Sequence, residues 1–456
     1  MSAHLTTHDL AHAFGERVEL PIPVIAFVLG GALVVAASFA IVLPTKVAVI
    51  AQGPPDTTQV RRVTHLAGIV GLVVVAALCW AGIAGTQELP ENILPTVFWV
   101  YVWVVVPLLC GVLGDFTSGS NPFGYLAQLG AQLGERLVPR HRAWPKAIGW
   151  WPAVVLLALG TLAELVFNAT TTLPRFIAWM FIGYGAFCLV MGAVFGAQAF
   201  RERGELFSVM LGTWGRLGYF RFGAPGKRGF AGGLDQPFER TVGRSVFVLM
   251  LLVAISFDGI LSTPQWTNLE RRHFAVTDVH GVEALRTATF LGLVVVLYAV
   301  FTLFSVGVGR FGARSLGVSD TLSRLLPSLV PIAFGYLLAH YLQYVLTNGQ
   351  LILPLLGAPG GDGTNLHLPY PFNDSYEINL HLLPNTFYWY FDVAVIVIVH
   401  IAAVVLAHRA LAREGGTERQ ARRAEYPWLL AMVAYTALSL WLLAQGYAAS
   451  GPGASG

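Results

Sequence analysis

The stretch SLVPIAFGYLLAHYLQYVLTNGQ, Ser328–Gln350, decides how this chain reads. It is long and apolar enough to cross a bilayer, yet His340 stands well inside the apolar run. Tyr336, His340, Gln343 and Thr347 follow at i, i+4, i+7 and i+11, which puts them on one helix face. In hydrocarbon such a stripe must face other helices or a wet cavity. The four are therefore candidate pocket residues.

Composition points the same way. Of 456 residues, 55% are hydrophobic and only 12% charged, against about 25% charged in a soluble domain. The expected fold class is all-α, a polytopic integral membrane protein. Apolar runs of about 18–24 residues, the length of a membrane span, recur ten times: near Ile22–Leu43, Leu66–Ala84, Leu94–Leu113, Gly149–Phe167, Phe176–Phe200, Val242–Leu261, Leu285–Val308, Leu325–Leu346, Phe387–Ala407 and Pro427–Gln445.

The basic residues orient these spans, because cytoplasmic loops collect Lys and Arg. With the N-terminus outside, all 28 Lys and Arg except Arg17, Arg175, Arg271, Arg272 and Arg286 fall in inner loops. Ten spans then put both termini outside. The layout is an extracytoplasmic segment over 1–21, a ten-helix domain over 22–447, and a tail over 448–456. The first 21 residues are polar before Pro21, so no cleavable signal peptide is expected. The basic inner loops suit anionic lipids. A net charge of +3 implies no nucleic-acid partner.

The inner loop 201–244 is basic and glycine-rich. Within it, Leu206, Met210, Trp214 and Leu217 have helical spacing. Glu205–Leu217 reads either as an interfacial helix on the inner leaflet or as a loop with apolar anchors. GAPGKRG, Gly223–Gly229, lacks the spacing of a phosphate-binding loop. The outer loop 349–386 has no Lys or Arg. Its Tyr370, Phe372 and Tyr376 favour packing over disorder, and it is the expected cover of the pocket. Cys79, Cys110 and Cys188 lie in apolar runs, as buried hydrophobes do. Inverted repeats are not supported, because Glu164 and Asp392 fall at unmatched positions of the fourth and ninth spans.

Five ionisable residues stand inside spans: Glu164, Asp258, His340, Asp392 and His400. Each is costly there, so each is a functional candidate. Counting from the outer ends, Glu164, Asp258, His340 and Asp392 all lie ~5–10 Å below the outer boundary. They could hold a divalent metal such as Zn, Mn or Fe. They could instead form a proton or cation path, or be satisfied separately. His340 and Asp258 are the catalytic candidates if water is activated there. Haem is not expected. His400 lies ~20 Å down and cannot meet His340 at one depth, while His408 with Arg409 reads as the inner interface.

Seven stretches carry a family resemblance: HAFGERVELPIP (His12–Pro23), WWPAVVLLALGTLAELV (Trp150–Val166), RGELFSVMLG (Arg203–Gly212), SFDGILSTPQW (Ser256–Trp266), the opening stretch, VHIAAVVLAHRALA (Val399–Ala412) and PWLLAMVAYTALSLWLLAQ (Pro427–Gln445). Together they resemble the bacterial polytopic membrane proteins called fenitrothion hydrolase. The family's His-Gly-Phe-Gly start is His-Ala-Phe-Gly here, and GDFTSGSNPF lacks the tryptophan expected before Asn-Pro. The resemblance implies a bacterial inner-membrane protein that cleaves an organophosphate triester. It assigns no catalytic roles to Glu164, Asp258, His340, His400 or His408. A transporter for a metal ion or small solute, and a non-catalytic assembly subunit, are the competing expectations.

Overall fold

The computed structural model of this protein describes residues 61–137, 141–222, 229–275, 277–312, 317–412 and 418–449, with positions 25, 28–31, 33–34 and 36–37. Among the described residues the named elements are all helical. They are α1 (His65–Ala84), α2 (Ile93–Leu113), α3 (Pro122–Leu137), α4 (Trp151–Leu165), α5 (Pro174–Phe195), α6 (Ala197–Arg203), α7 (Leu206–Gly215), α8 (Val242–Leu261), α9 (Pro264–His273), α10 (Val279–Phe311), α11 (Val318–Leu325), α12 (Leu329–Asn348), α13 (Ile352–Gly357), α14 (Asn385–Ala412) and α15 (Glu418–Ala449).

Their starts follow local chemistry. Thr64, Asn121, Thr241 and Thr263 cap α1, α3, α8 and α9 through side-chain oxygens that accept first-turn N–H groups. Proline stands in the first turn of α4, α5 and α9, where its missing N–H costs nothing.

Eight helical segments among the described residues are long and apolar enough to cross a membrane. Expected spans two, three and five to ten correspond to them. The fourth is the 15-residue α4, about 22 Å long. The first lies largely outside the described residues, although its described positions 25, 28–31, 33–34 and 36–37 are helical.

The chain divides into two compact units. The first comprises 58–230 and 341–382, with 1–13. The second comprises 14–57, 231–340 and 383–456. The boundary runs through α12, between His340 and Tyr341.

In the first unit, α3 and α5 meet backbone to backbone. A Cβ on Gly130 would lie 2.0 Å from the Leu189 carbonyl oxygen, one on Gly134 2.3 Å from that of Ala193, and one on Gly192 2.0 Å from that of Ala127. Small residues four apart permit such close approach between apolar helices. Residues Thr96–Val105 of α2 wind as a π-helix, with Val106 N–H bonded to the Tyr101 carbonyl five residues back. Pro107 follows at once and can give no N–H to an α-helical ladder.

Glu205–Leu217 corrects an expectation. It does contain a helix, α7, but Leu206, Met210 and Trp214 are buried along with nearly every other residue of that helix. It packs on α2, α4 and α6. It is buried on nearly every side within the first unit, as a mostly apolar helix without a polar face is.

The loop 349–386 packs at its start, whereas Tyr370, one of the aromatics expected to pack it, is exposed. Thr86 N–H donates to the Gly360 carbonyl and Ile93 N–H to that of Pro359, each at 3.0 Å. Leu351, Ile352 and Leu355 join Ala81 and Ile93 in one apolar cluster.

In the second unit, α8 is the most enclosed helix, with most of its side chains buried. Val399 of α14 presses on Gly335 of α12. Trp428 of α15 donates its indole N–H to Ser328 Oγ at 3.2 Å and packs on Phe301 of α10.

Candidate functional site

Asp258 lies one turn before the end of α8, and His340 two turns before the end of α12. The second unit brings them together: His340 Nε2 is 2.8 Å from Asp258 Oδ2. Only 14% and 18% of the two side chains is exposed. If Nε2 carries a proton, it donates to the carboxylate and leaves Nδ1 basic; with both nitrogens protonated, the pair is an ion pair. The arrangement can take up and return one proton without leaving a naked charge in an apolar setting.

Tyr336 is one turn away on α12, its ring 6.1 Å from the His340 ring. Its hydroxyl is buried with no hydrogen-bond partner among the described residues, and it lies against Gly259, where a Cβ would come within 2.7 Å of the oxygen. Asp392 is buried on α14. His400, two turns further on, donates from Nδ1 to the Ile396 carbonyl at 2.7 Å. That leaves Nε2 as an acceptor, buried and without a partner among the described residues.

Glu164, at the end of α4, belongs to the first unit. It accepts from Trp103 Nε1 at 2.7 Å and from the Tyr341 hydroxyl at 3.0 Å. Thr347 Oγ1 donates to the Gln343 carbonyl of its own helix at 2.9 Å, so this part of the stripe is satisfied locally. Of the four metal candidates, the structure bonds His340 to Asp258. Among the described residues no three His, Cys, Asp or Glu gather as a metal-holding group. His4, His8 and His12 lie outside the described residues.

Three polar groupings escaped sequence reasoning. In the second unit, Glu425 receives His408 Nδ1 through both carboxylate oxygens, at 2.9 and 3.0 Å, and both residues are buried. His408 therefore has an acidic partner rather than merely marking an interface. Ser256 and Tyr435 join hydroxyls at 2.7 Å.

In the first unit, the fully buried Glu205 accepts from Asn121 Nδ2 (2.7 Å), Ser208 N–H (2.7 Å), Phe207 N–H (3.1 Å) and the Tyr184 hydroxyl. Nearby, Arg201 donates to the carbonyls of Arg61 and Ser118 at 2.7 and 2.8 Å. Burial lowers the Arg201 pKa, against the charges of Glu205 and Asp115. Burial also raises the Asp115 carboxyl above its usual range, opposed by hydrogen bonds from Thr117 and Ser118 and by the Arg201 charge. The signal available for Glu205 was its place just before an apolar helical run, where an acidic side chain caps the first turn.

No protein-family model, curated protein or solved structure matches this chain.

Proposed function

We propose that this is a proton-linked transport protein of a bacterial inner membrane, and that His340 and Asp258 form its proton-binding site. The observation that carries this reading is the 2.8 Å contact between an imidazole and a carboxylate on two apolar helices. Intramembrane His and Asp residues are expensive and mark proton relays. In the orientation drawn from Lys and Arg placement, with both termini outside, the pair sits in the outer half of the bilayer and the basic loops face anionic lipids.

The protein reconstituted in phosphatidylethanolamine–phosphatidylglycerol vesicles, with a pH dye inside and a potassium diffusion potential, is expected to admit protons. His340→Gln and Asp258→Asn are expected to stop it. Vesicles as tight as protein-free ones, or variants as active as the parent, would contradict the reading.

Hydrolysis is the second reading, favoured by the same contact. A carboxylate that orients a histidine is the arrangement of a general base, and the resemblance to fenitrothion hydrolase implies an organophosphate triester as substrate. Here His340 would take a proton from water attacking phosphorus, and Asp258 would hold the ring. Cleavage of a nitrophenyl phosphotriester that depends on His340, with no proton entry into vesicles, would favour this reading.

A further inference from the structure

The second unit carries more proton-handling groups than the His340–Asp258 pair uses, and their register along the helices is ordered. Val399 packs on Gly335, and Ala339 clusters with Ile396 and Trp389, so α12 and α14 run antiparallel and the Gly335–Val399 contact sets their alignment. Counting from that contact at 1.5 Å per residue, Tyr336 lies ~6 Å from the level of His340, His400 a further ~3 Å on, and His408 ~21 Å from His340 altogether. The hydrocarbon core is about 30 Å thick. His408 and Glu425, bonded at 2.9 Å, thus stand near the opposite end of the same unit.

Two groups between these ends have an unused hydrogen-bonding position. The Tyr336 hydroxyl and His400 Nε2 are both buried, and neither has a partner among the described residues. Buried polar atoms are ordinarily satisfied, by protein or by water. A hydroxyl can accept one proton while giving up another. An imidazole with Nδ1–H tied to the Ile396 carbonyl can receive a proton on Nε2 and return it from the same atom. These are relay chemistries rather than cores of inert side chains.

We infer that the second unit holds a transmembrane proton path, with His340–Asp258 at one mouth, His408–Glu425 at the other, and Tyr336 and His400 as stages between. It rests on the proton-binding reading of His340 and Asp258 and extends it to a route and a second mouth. Water carries the proton between these groups, completing the hydrogen bonds at Tyr336 Oη and His400 Nε2 and spanning the ~12 Å between the levels of His400 and His408, with no net chemical change.

The test uses the full chain in the same vesicles. Tyr336→Phe removes a hydroxyl that bonds to nothing described, so a purely structural role predicts unchanged flux and unchanged melting. The path predicts unchanged melting with proton entry slowed at least about tenfold. His400→Asn and Glu425→Gln are expected to slow it similarly, each checked for parental elution and melting. If all three conduct at the parental rate while His340→Gln does not, the path is wrong and the proton-binding reading stands. If His340→Gln also conducts normally, both fall.

Discussion

The two units treat buried carboxylates in opposite ways. In the first, Glu205 is enclosed by four donors from Asn121, Tyr184 and the first turn of α7. Two of these donors are backbone N–H groups and two are neutral side chains, and together they fix the carboxylate in place. In the second, Asp258 faces an imidazole, a partner that can itself gain or lose a proton. The contrast separates a carboxylate that builds a fold from one suited to chemistry. Burial alone does not distinguish them, since the structural one is the more deeply buried. The nature of the partner does.

The largest effect should come from the structural side. Glu205→Ala leaves four buried donors without their acceptor and removes the cap of α7, so it should cost about 3–5 kcal/mol. Reversible unfolding in detergent would read this as loss of the folded first unit. If Glu205→Ala melted like the parent, the assignment of Glu205 as an anchor would be broken. Asp258→Asn sharpens the contrast from the other side. It should abolish proton entry while changing stability by about 1 kcal/mol or less. Tyr184→Phe, which loses the bond to Glu205 and the acceptor for Leu206 N–H, should cost about 1–2 kcal/mol.

The smallest expected effect is on pH dependence. Asp115 has a raised folded-state pKa. Its contribution to stability is therefore complete below its ordinary value of 3.8 and is lost as pH rises through the folded value. The thermal midpoint of the parent should fall more than that of Asp115→Asn between about pH 4 and pH 7. Equal falls would remove Asp115 from the account.

Much of the membrane fold was legible in the chain, because apolar runs and basic loops are properties of continuous segments. His340 and Asp258 were legible as candidates for the same reason: a charge in an apolar run stands out. Their contact was suggested only by equal depth. What stayed hidden depends on partners far apart in sequence. The π-helix over Thr96–Val105 reads as an ordinary apolar run. Glu205 reads as part of a basic loop, since Asn121 and Tyr184 are distant in the chain. Glu425 looks like a solvated residue at the start of α15 until His408 is placed against it. The bonds of Glu164 to Trp103 and Tyr341 within the first unit also join residues far apart in sequence.

The central claim is that His340 and Asp258 bind one proton as a pair, and counting protons tests it most directly. Proton uptake by the purified protein after an acid jump would be measured for the parent, His340→Gln, Asp258→Asn and the double variant. The account predicts that each single variant loses one bound proton and that the double variant loses no more than either, as coupled sites do. Additive losses, or uptake equal to the parent in every variant, would contradict it.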